Sequence, residues 1–279
     1  MRYVIIGQYE SKGVIGDDSS DLSKYYELGW ESTCSNILAN LFLNEGKISA
    51  NDTIVTTADR MFFYSKVFKN VIEWNDFKIF YNKGLDEIYH LPQETFSEYV
   101  PNPEIICPKI VCNYDLIEGI SEILNIKDYF GIYCIRLREH CAWRNSDTET
   151  AKRVITGLRD KFGFQMFLTG KNSESLAEDL GTLHLSLREF ASLTNEDNCR
   201  LCISPLSGLI QLSNFAGHAN LHNFIFDHNH ERITNSHPLY MGDNVNYKKV
   251  KNIFIAGREN ESMIYNLFDQ LQIIDSTHA

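Results

Sequence analysis

The segment from Arg200 to Asp227 constrains the fold more than any other part of this sequence. It contains a short apolar run at 201–203, a polar turn, an apolar-periodic run at 209–215 and a further apolar run at 224–226. These patterns predict a strand, a turn, a helix and a second strand, in that order. A chain built from such units is an α/β protein.

The turn in this segment contains Ser204, Ser207 and Gly208. Ser207 is placed to cap the helix, and Gly208 allows the backbone to come close to a bound group. The free N–H groups and the positive end of the helix dipole would then face a ligand above the sheet, and phosphate is the natural guest. A capped turn without a ligand is also common in α/β proteins, so the turn alone leaves both interpretations open.

Composition limits the class of protein. The chain has 279 residues, 43% of them hydrophobic, which suits one large domain or two small ones with a substantial core. The net charge of −11 argues against a general nucleic-acid binder or an anchor on an anionic membrane, because both need a basic face. The first apolar run is too short for a signal peptide, and no later run approaches the roughly 20 residues of a membrane span. We therefore expect a soluble, cytoplasmic protein.

The seven cysteines are odd in number and scattered through apolar contexts. This favours reduced, buried thiols over a disulfide framework. Cys199 and Cys202 form a C-x-x-C pattern, but the apolar residues Leu201 and Ile203 favour a strand with buried thiols over a zinc or redox site.

Two series of alternating strands and helices follow one another along the chain. The first predicts strands at 2–7, 52–59 and 71–74, helices at 32–42 and 60–68, and a less regular stretch at 76–98. Four of the six prolines lie between Pro92 and Pro108, which marks a linker. The second predicts strands at 129–138, 164–170 and 252–257, with helices at 148–162, 173–180, 187–193 and 259–272. We therefore predict two Rossmann-like βα domains that face each other across a cleft, residues 1–115 and residues 116–279.

Two motifs in the second half resemble those of known enzymes. The segment IYCIRLREHCAWR at 132–144 resembles the HxRRxD-type segment of fucosyltransferases. SPLSGLIQLSNFAG at 204–217 is similar to the turn and helix that fucosyltransferases and bacterial heptosyltransferases place against the donor's diphosphate. The resemblance covers about 129–227, and it implies a GT-B glycosyltransferase. Such an enzyme transfers a sugar from a GDP- or UDP-linked donor to a hydroxyl of a glycan acceptor, without a metal or another cofactor.

Sugar transfer places growing negative charge on the departing diphosphate, so the protein must supply positive charge and N–H donors there. Arg136 and Arg138 alternate along a strand end, which predicts that both face one side, and a guanidinium suits phosphate oxygens. Pairing with acidic neighbours is the alternative for both arginines. The predicted donor-binding residues are Arg136, Arg138, His140, Thr169, Gly170, Lys171, Ser204, Ser207, Gly208 and Asp227. His140 and the region 227–230, which begins with Asp227, are expected to contact the base or ribose.

Transfer with inversion also needs a base that takes the proton of the acceptor hydroxyl. Four aspartates follow the first two predicted strands at their carboxyl ends: Asp18, Asp17, Asp21 and Asp59. Asp18 is our first candidate for the catalytic base, although aspartate is also favoured in turns and caps for local reasons.

Other functions remain open at this level. The acidic run at 17–21 would suit a metal-dependent, GT-A-like transferase, and the segment DHNH at 227–230 could hold zinc. Ser207 lies on a strand-to-helix turn as in serine hydrolases, but the G-x-S-x-G pattern is absent around it. A non-catalytic protein that binds a nucleotide or sugar is the remaining alternative.

Overall fold

The structure, a computed structural model, describes residues 1–6, 36–91, 113–137, 145–227 and 250–273. These residues form two parallel β-sheets with helices between the strands, so the prediction of an α/β fold with two Rossmann-like sheets is confirmed. The described residues divide into two compact units, with the boundary between Leu116 and Ile117. Within the described ranges, no helix is long and apolar enough to cross a membrane.

The first unit contains a four-stranded sheet. Its strands are β1 (Arg2–Ile6), β2 (Thr53–Thr56), β3 (Asn70–Glu73) and β4 (Glu87–Leu91), in the spatial order β3-β2-β1-β4. All neighbouring strands are parallel. The helices are α1 (Asn36–Asn44), a 3₁₀ helix (Ala58–Phe63) and α2 (Trp74–Phe80). The core under this sheet contains Tyr3, Ile5, Val55, Trp74 and Phe77.

Three predictions for the first unit are wrong. The α-helix expected at 60–68 is a 3₁₀ helix that ends at Phe63. Trp74, expected in a strand, begins α2, where it shares a buried face with Phe77 at the i, i+3 spacing of a helix. Strand β4 lies where the sequence favours irregular structure. It is an edge strand with partly exposed residues, so it lacks the continuous apolar run that identifies a central strand.

The second unit contains a six-stranded sheet, and helices connect its strands from β5 to β9. Its strands are β5 (Phe130–Cys134), β6 (Gln165–Thr169), β7 (His184–Leu185), β8 (Cys199–Pro205), β9 (His222–Asp227) and β10 (Lys251–Ala256). Its helices are α3 (Ile120–Ile123), α4 (Thr148–Phe162), α5 (Glu174–Asp179), α6 (Leu187–Thr194), α7 (Gly208–Ala216) and α8 (Glu261–Gln270). The spatial order is β10-β9-β8-β5-β6-β7, and all neighbours are parallel.

Continuous burial explains why the central strands of this sheet can be read from the sequence. Every residue of β5 is buried, and β8 is buried at all positions except Arg200. A parallel strand with helices on both faces must be apolar along its whole length. Strand β5 is shorter than the predicted 129–138, because it ends at Cys134 and leaves Arg136 beyond the sheet.

Helices α4 and α8 cover one face of this sheet and contact each other directly. Arg153 on α4 forms an ion pair with Glu261 on α8, with Nε and Oε2 3.1 Å apart. The Tyr265 hydroxyl donates to the Arg153 carbonyl at 2.8 Å. A Cβ atom at Gly157 would lie 1.7 Å from the Tyr265 hydroxyl oxygen, so a larger residue there would displace the Tyr265 side chain from the contact between the two helices.

Candidate functional site

The order of strands in the second sheet identifies a crevice. From β5 the chain moves outward through β6 and β7, and it then returns to the other side of β5 to form β8, β9 and β10. The chain therefore leaves the carboxyl ends of the neighbouring strands β5 and β8 in opposite directions. In open α/β sheets, ligands bind at such a topological switch point.

Arg136 lies at the β5 side of this switch point. Its side chain is mostly buried, and its backbone is fixed on both sides by Ser146. The Arg136 N–H donates to Ser146 Oγ at 3.2 Å, and the Ser146 N–H donates to the Arg136 carbonyl at 2.9 Å. Ser146 immediately precedes Asp147, the N-cap of α4. Arg136 is thus held against the start of a helix, a contact that the sequence does not indicate.

The turn after β8 forms the other side of the switch point. Ser207 occupies the N-cap position of α7, but its side chain makes no capping hydrogen bond, so the prediction that it caps the helix is wrong. Its Oγ instead lies 3.2 Å from Oγ of the buried Ser204. The first N–H groups of an α-helix have no acceptor within the helix. The first N–H groups of α7 therefore have no acceptor from within the helix and none from the Ser207 side chain.

The first turn of α7 is uncharged. It contains no acidic residue, whereas the first turns of α4, α6 and α8 contain Glu149, Glu189 and Glu261. An acidic side chain there would offset the positive end of the helix dipole and repel an anion. Within the part of the chain that the structure describes, the N-terminus of α7 thus has neither a cap from Ser207 nor an acidic first-turn residue, and such a terminus is suited to bind phosphate.

The turn after β8 is held in place by backbone contacts to the next strand. The Leu206 N–H donates to the Phe226 carbonyl at 2.8 Å. Deeper in α7, the Ser213 hydroxyl donates to Asn223 Oδ1 at 2.8 Å, and Asn223 Nδ2 donates to Asn214 Oδ1 at 2.9 Å. Sequence reasoning missed this buried network, which ties α7 to β9. The signal was present as the polar residues Gln211, Ser213 and Asn214 within a helix whose other residues are Gly208 and apolar side chains.

The end of β6 is built mainly for structure. The buried Thr169 hydroxyl donates to the Leu185 carbonyl at 3.0 Å. Gly170 has a φ of 132°, and a Cβ atom there would lie 2.1 Å from the Ile135 carbonyl oxygen, so glycine is required beside β5. Lys171 is exposed next to it. The predicted donor contacts of these three residues stay predictions.

Several predicted site residues lie outside the described residues. They are Arg138, His140, Asp17, Asp18 and Asp21. Asp227 ends β9, but its side chain is not among those described. Asp59 lies in the first turn of the 3₁₀ helix, where it accepts a hydrogen bond from Thr57 Oγ1 at 2.6 Å and lies 3.9 Å from Arg60 Nε. These contacts give Asp59 a local role in its turn, and its catalytic role stays a prediction.

Buried thiols lie behind the switch point. Cys134 at the end of β5 and Cys202 on β8 have Sγ atoms 3.5 Å apart, and both are free and buried, as is Cys199. Burial raises the pKa of the Cys134 and Cys199 thiols well above the usual value. These thiols are therefore neutral core groups, which agrees with the interpretation of C-x-x-C as part of a strand. The segment DHNH extends beyond the described residues.

The contact between Ser207 and Ser204 also bears on the hydrolase alternative. A serine nucleophile needs a neighbouring general base, and another serine hydroxyl cannot serve as one. The observed partner of Ser207 therefore gives the hydrolase alternative no support.

Comparison with known proteins shows the fold. The sequence matches no protein-family model and no curated protein. Among solved structures, ADP-heptose LPS heptosyltransferase II from E. coli is 12% identical, with a TM-score of 0.54 over 100% of both chains. The family 9 glycosyl transferase from Veillonella parvula DSM 2008 is 10% identical, with a TM-score of 0.49 over 97% of this chain and 88% of the other. E. coli heptosyltransferase WaaC with ADP is 12% identical, with a TM-score of 0.49 over 97% of both chains.

The similarity to heptosyltransferase II establishes that this chain has a GT-B fold of the heptosyltransferase type. The predicted resemblance is thereby confirmed at the level of the fold.

Proposed function

We propose that this chain is a glycosyltransferase that moves a sugar from a nucleotide diphosphate sugar to a hydroxyl group of a glycan acceptor. The observation that carries the proposal is the switch point between β5 and β8. Arg136 follows one strand and the uncapped N-terminus of α7 follows its neighbour. A diphosphate at this position would meet a guanidinium and the free N–H groups of a helix.

These groups suit the charge that develops during the reaction. The acceptor oxygen forms a bond to the anomeric carbon, the bond from that carbon to the diphosphate oxygen breaks, and the nucleoside diphosphate leaves with the bonding electrons. Fixed N–H donors and Arg136 stabilise this leaving group without reorganisation. Arg138 would add a second guanidinium. We propose that this protein-supplied charge removes the need for a metal ion.

A carboxylate must take the proton that the acceptor hydroxyl loses. Asp18 is the first candidate, with Asp17, Asp21 and Asp59 behind it. We expect Asp18→Asn to abolish turnover and to leave donor binding unchanged. Full activity in this variant would transfer the role to another of these aspartates.

The donor nucleotide is the finer part of the proposal. The sequence resemblance favours GDP or UDP, whereas the heptosyltransferase II of similar fold is by its name an ADP-heptose enzyme. All three nucleotides share the diphosphate that α7 would bind. We therefore include ADP as a donor nucleotide in the proposal and distinguish the three by measurement.

Thermal melting with a panel of nucleotides tests the proposal. ADP, GDP, UDP and CMP are each added with Mn²⁺ and with a chelator, because a ligand that binds the native state alone raises its stability by mass action. A shift with one diphosphate in chelator is the expected result, and it names the donor class. A shift that needs Mn²⁺ would favour a metal-dependent transferase. No shift with any nucleotide would overturn the assignment of the switch point.

A further inference from the structure

The turn after β6 brings two side-chain donors to one backbone carbonyl. The Gly170 carbonyl accepts a hydrogen bond from the Ser173 hydroxyl at 2.7 Å, and His184 Nε2 lies 3.0 Å from the same oxygen. A carbonyl oxygen can only accept, so His184 Nε2 carries the proton and donates it. The Glu174 carboxylate is exposed and lies farther from this nitrogen, at 3.9 Å. The Gly170 carbonyl is therefore the hydrogen-bond partner of His184.

The two donors come from different elements. Ser173 is fully buried at the N-cap position of α5, and its hydroxyl donates to Gly170 although it makes no capping bond to the helix. His184 belongs to the edge strand β7, and it reaches the end of β6 from 14 residues farther along the chain. One peptide unit, between Gly170 and Lys171, is thus held at its carbonyl by two separate parts of the fold.

Holding this carbonyl also sets the direction of the next N–H group. The peptide unit is planar and trans, so the Lys171 N–H points away from the Gly170 carbonyl and from His184. Strand β6 lies between β7 and β5, and β5 is therefore on the side away from β7. Gly170 contacts the end of β5 closely, because a Cβ atom there would lie 2.1 Å from the carbonyl oxygen of Ile135. Ile135 immediately precedes Arg136.

Lys171 itself is available to a ligand. Its side chain is exposed, and among the residues that the structure describes neither its N–H nor its ammonium has a hydrogen-bond or ion-pair partner. Lysine places a point charge at the end of a flexible four-carbon stem. The region that this charge can reach depends on where the stem begins, and the fixed peptide unit determines that starting point beside Arg136.

We propose that His184 is a positioning residue of the donor site. By holding the Gly170 carbonyl, it fixes the peptide unit from which the Lys171 ammonium reaches a diphosphate at the switch point. The proposal rests on the proposed transferase function, which supplies the diphosphate. His184 does not contact the donor in this role, because it acts through Lys171.

Calorimetric titration of the full chain with ADP, GDP and UDP in chelator tests the proposal. For a diphosphate that binds the wild type, we expect His184→Ala to weaken binding about fivefold, the effect of one lost hydrogen bond. His184→Gln should restore the affinity to within about twofold, because the glutamine amide can donate to the same carbonyl. Wild-type affinity in His184→Ala, or no recovery in His184→Gln, would overturn the proposal.

A double-mutant cycle determines whether His184 acts through Lys171. Lys171→Gln alone should weaken binding about tenfold and make it less sensitive to salt, because an exposed charge is screened. When Lys171→Gln is already present, His184→Ala should change the affinity by less than about twofold. An undiminished loss in that background would contradict a role exerted through Lys171.

The control removes a similar hydrogen bond at the other end of β6. The Thr182 hydroxyl donates to the Met166 carbonyl, and Thr182→Ala deletes this bond. We expect wild-type nucleotide affinity in Thr182→Ala, and thermal melting without ligand reports the loss of stability in both variants. Equal losses of affinity in Thr182→Ala and His184→Ala would indicate general loosening of β6 and would contradict a positioning role.

Titration of Arg136→Gln separates this proposal from the proposed function. Weaker binding in Arg136→Gln with unchanged binding in His184→Ala would keep the diphosphate at the switch point and overturn the role of His184 alone. If ADP, GDP and UDP all fail to bind the wild type, the proposed function and the role of His184 are both overturned.

Discussion

Helices α6 and α7 pack against each other in the second unit, and both have a serine at the N-cap position, yet their N-termini differ. Helix α6 closes its own terminus. The Glu189 N–H donates to Ser186 Oγ at 3.3 Å, and the Ser186 N–H donates to the Glu189 carboxylate at 2.8 Å. In α7 the hydroxyl of Ser207 contacts Ser204 instead. The N-terminus of α6 thus carries a side-chain cap, whereas the N-terminus of α7, at the switch point, receives none from its N-cap serine.

The largest expected effect comes from the cation beside the open terminus. Arg136→Gln should weaken nucleoside diphosphate binding by about 1.5–3 kcal/mol, the range for hydrogen bonds to a charged group. Isothermal titration calorimetry measures this, and melting without ligand reports any loss of stability separately. The control is Arg153→Gln, an exposed arginine on α4 paired with Glu261. Equal nucleotide affinity in folded Arg136→Gln and in wild type would contradict the role of Arg136.

Removing one N–H group from each helix compares the two termini directly. Proline is tolerated at the first helical position, and it deletes a donor there. We expect Gly208→Pro in α7 to weaken nucleoside diphosphate binding by about 1.5 kcal/mol. Leu187→Pro at the same position of α6 should leave affinity unchanged. Equal affinity changes in the two variants, measured by calorimetry, would show that the open terminus of α7 has no special role.

Substitution of the N-cap serines should affect the stability of α6 more than that of α7, whereas nucleotide binding depends on α7. Ser186→Ala removes both hydrogen bonds of its hydroxyl in the capping box, and it should lower the free energy of unfolding by about 1 kcal/mol. Ser207→Ala removes no capping bond, so its effect should stay within about 0.5 kcal/mol. Urea denaturation of both variants gives the two values. A larger loss in Ser207→Ala would mean that its hydroxyl caps α7 in solution.

A modest, pH-dependent effect concerns the capped N-terminus of α4. Asp147 caps α4, and hydrogen bonds from the Thr150 hydroxyl and the Glu149 N–H lower its pKa. Because its folded-state pKa is below the unfolded value of about 3.9, its stabilising effect is present above that pH and is lost as pH falls through the folded-state pKa. Asp147→Ala should cost about 0.5–1 kcal/mol near neutral pH. Urea denaturation near pH 3 should give a smaller difference from the wild type.

The sequence predicts the central strands because their chemistry is uniform. Residues of β1, β5 and β8 are buried along nearly their whole length, and continuous apolar runs follow from helices on both faces of a sheet. Strand β4 lies at an edge and is partly exposed, so its residues lack that run. Trp74 could belong to a strand or a helix by its apolar character. In the helix Trp74 packs against Phe77 in the core, and this contact favours the helical conformation.

The candidate site was predictable in position but not in detail. Strand order places Arg136 and Ser207 near each other, and the sequence identifies both as residues at strand ends. The sequence, however, does not distinguish the capping serine of α6 from the non-capping serine of α7. The direction of its hydroxyl depends on Ser204, three residues away in the chain, and on the backbone angles of the turn. Ser146 and Arg136 are ten residues apart in the chain, and no local sequence pattern predicts their contact.

The three buried thiols on β5 and β8 allow the unfolding of the second sheet to be followed by cysteine labelling. Thiolate is the form that reacts with alkylating reagents. All three thiols are buried away from solvent, and burial raises the pKa of the Cys134 and Cys199 thiols. Labelling of Cys134, Cys199 and Cys202 therefore has to wait for this part of the chain to unfold. Because Cys134 precedes Arg136 by two residues, the rate of its alkylation, followed by mass spectrometry, records how long the switch point stays intact.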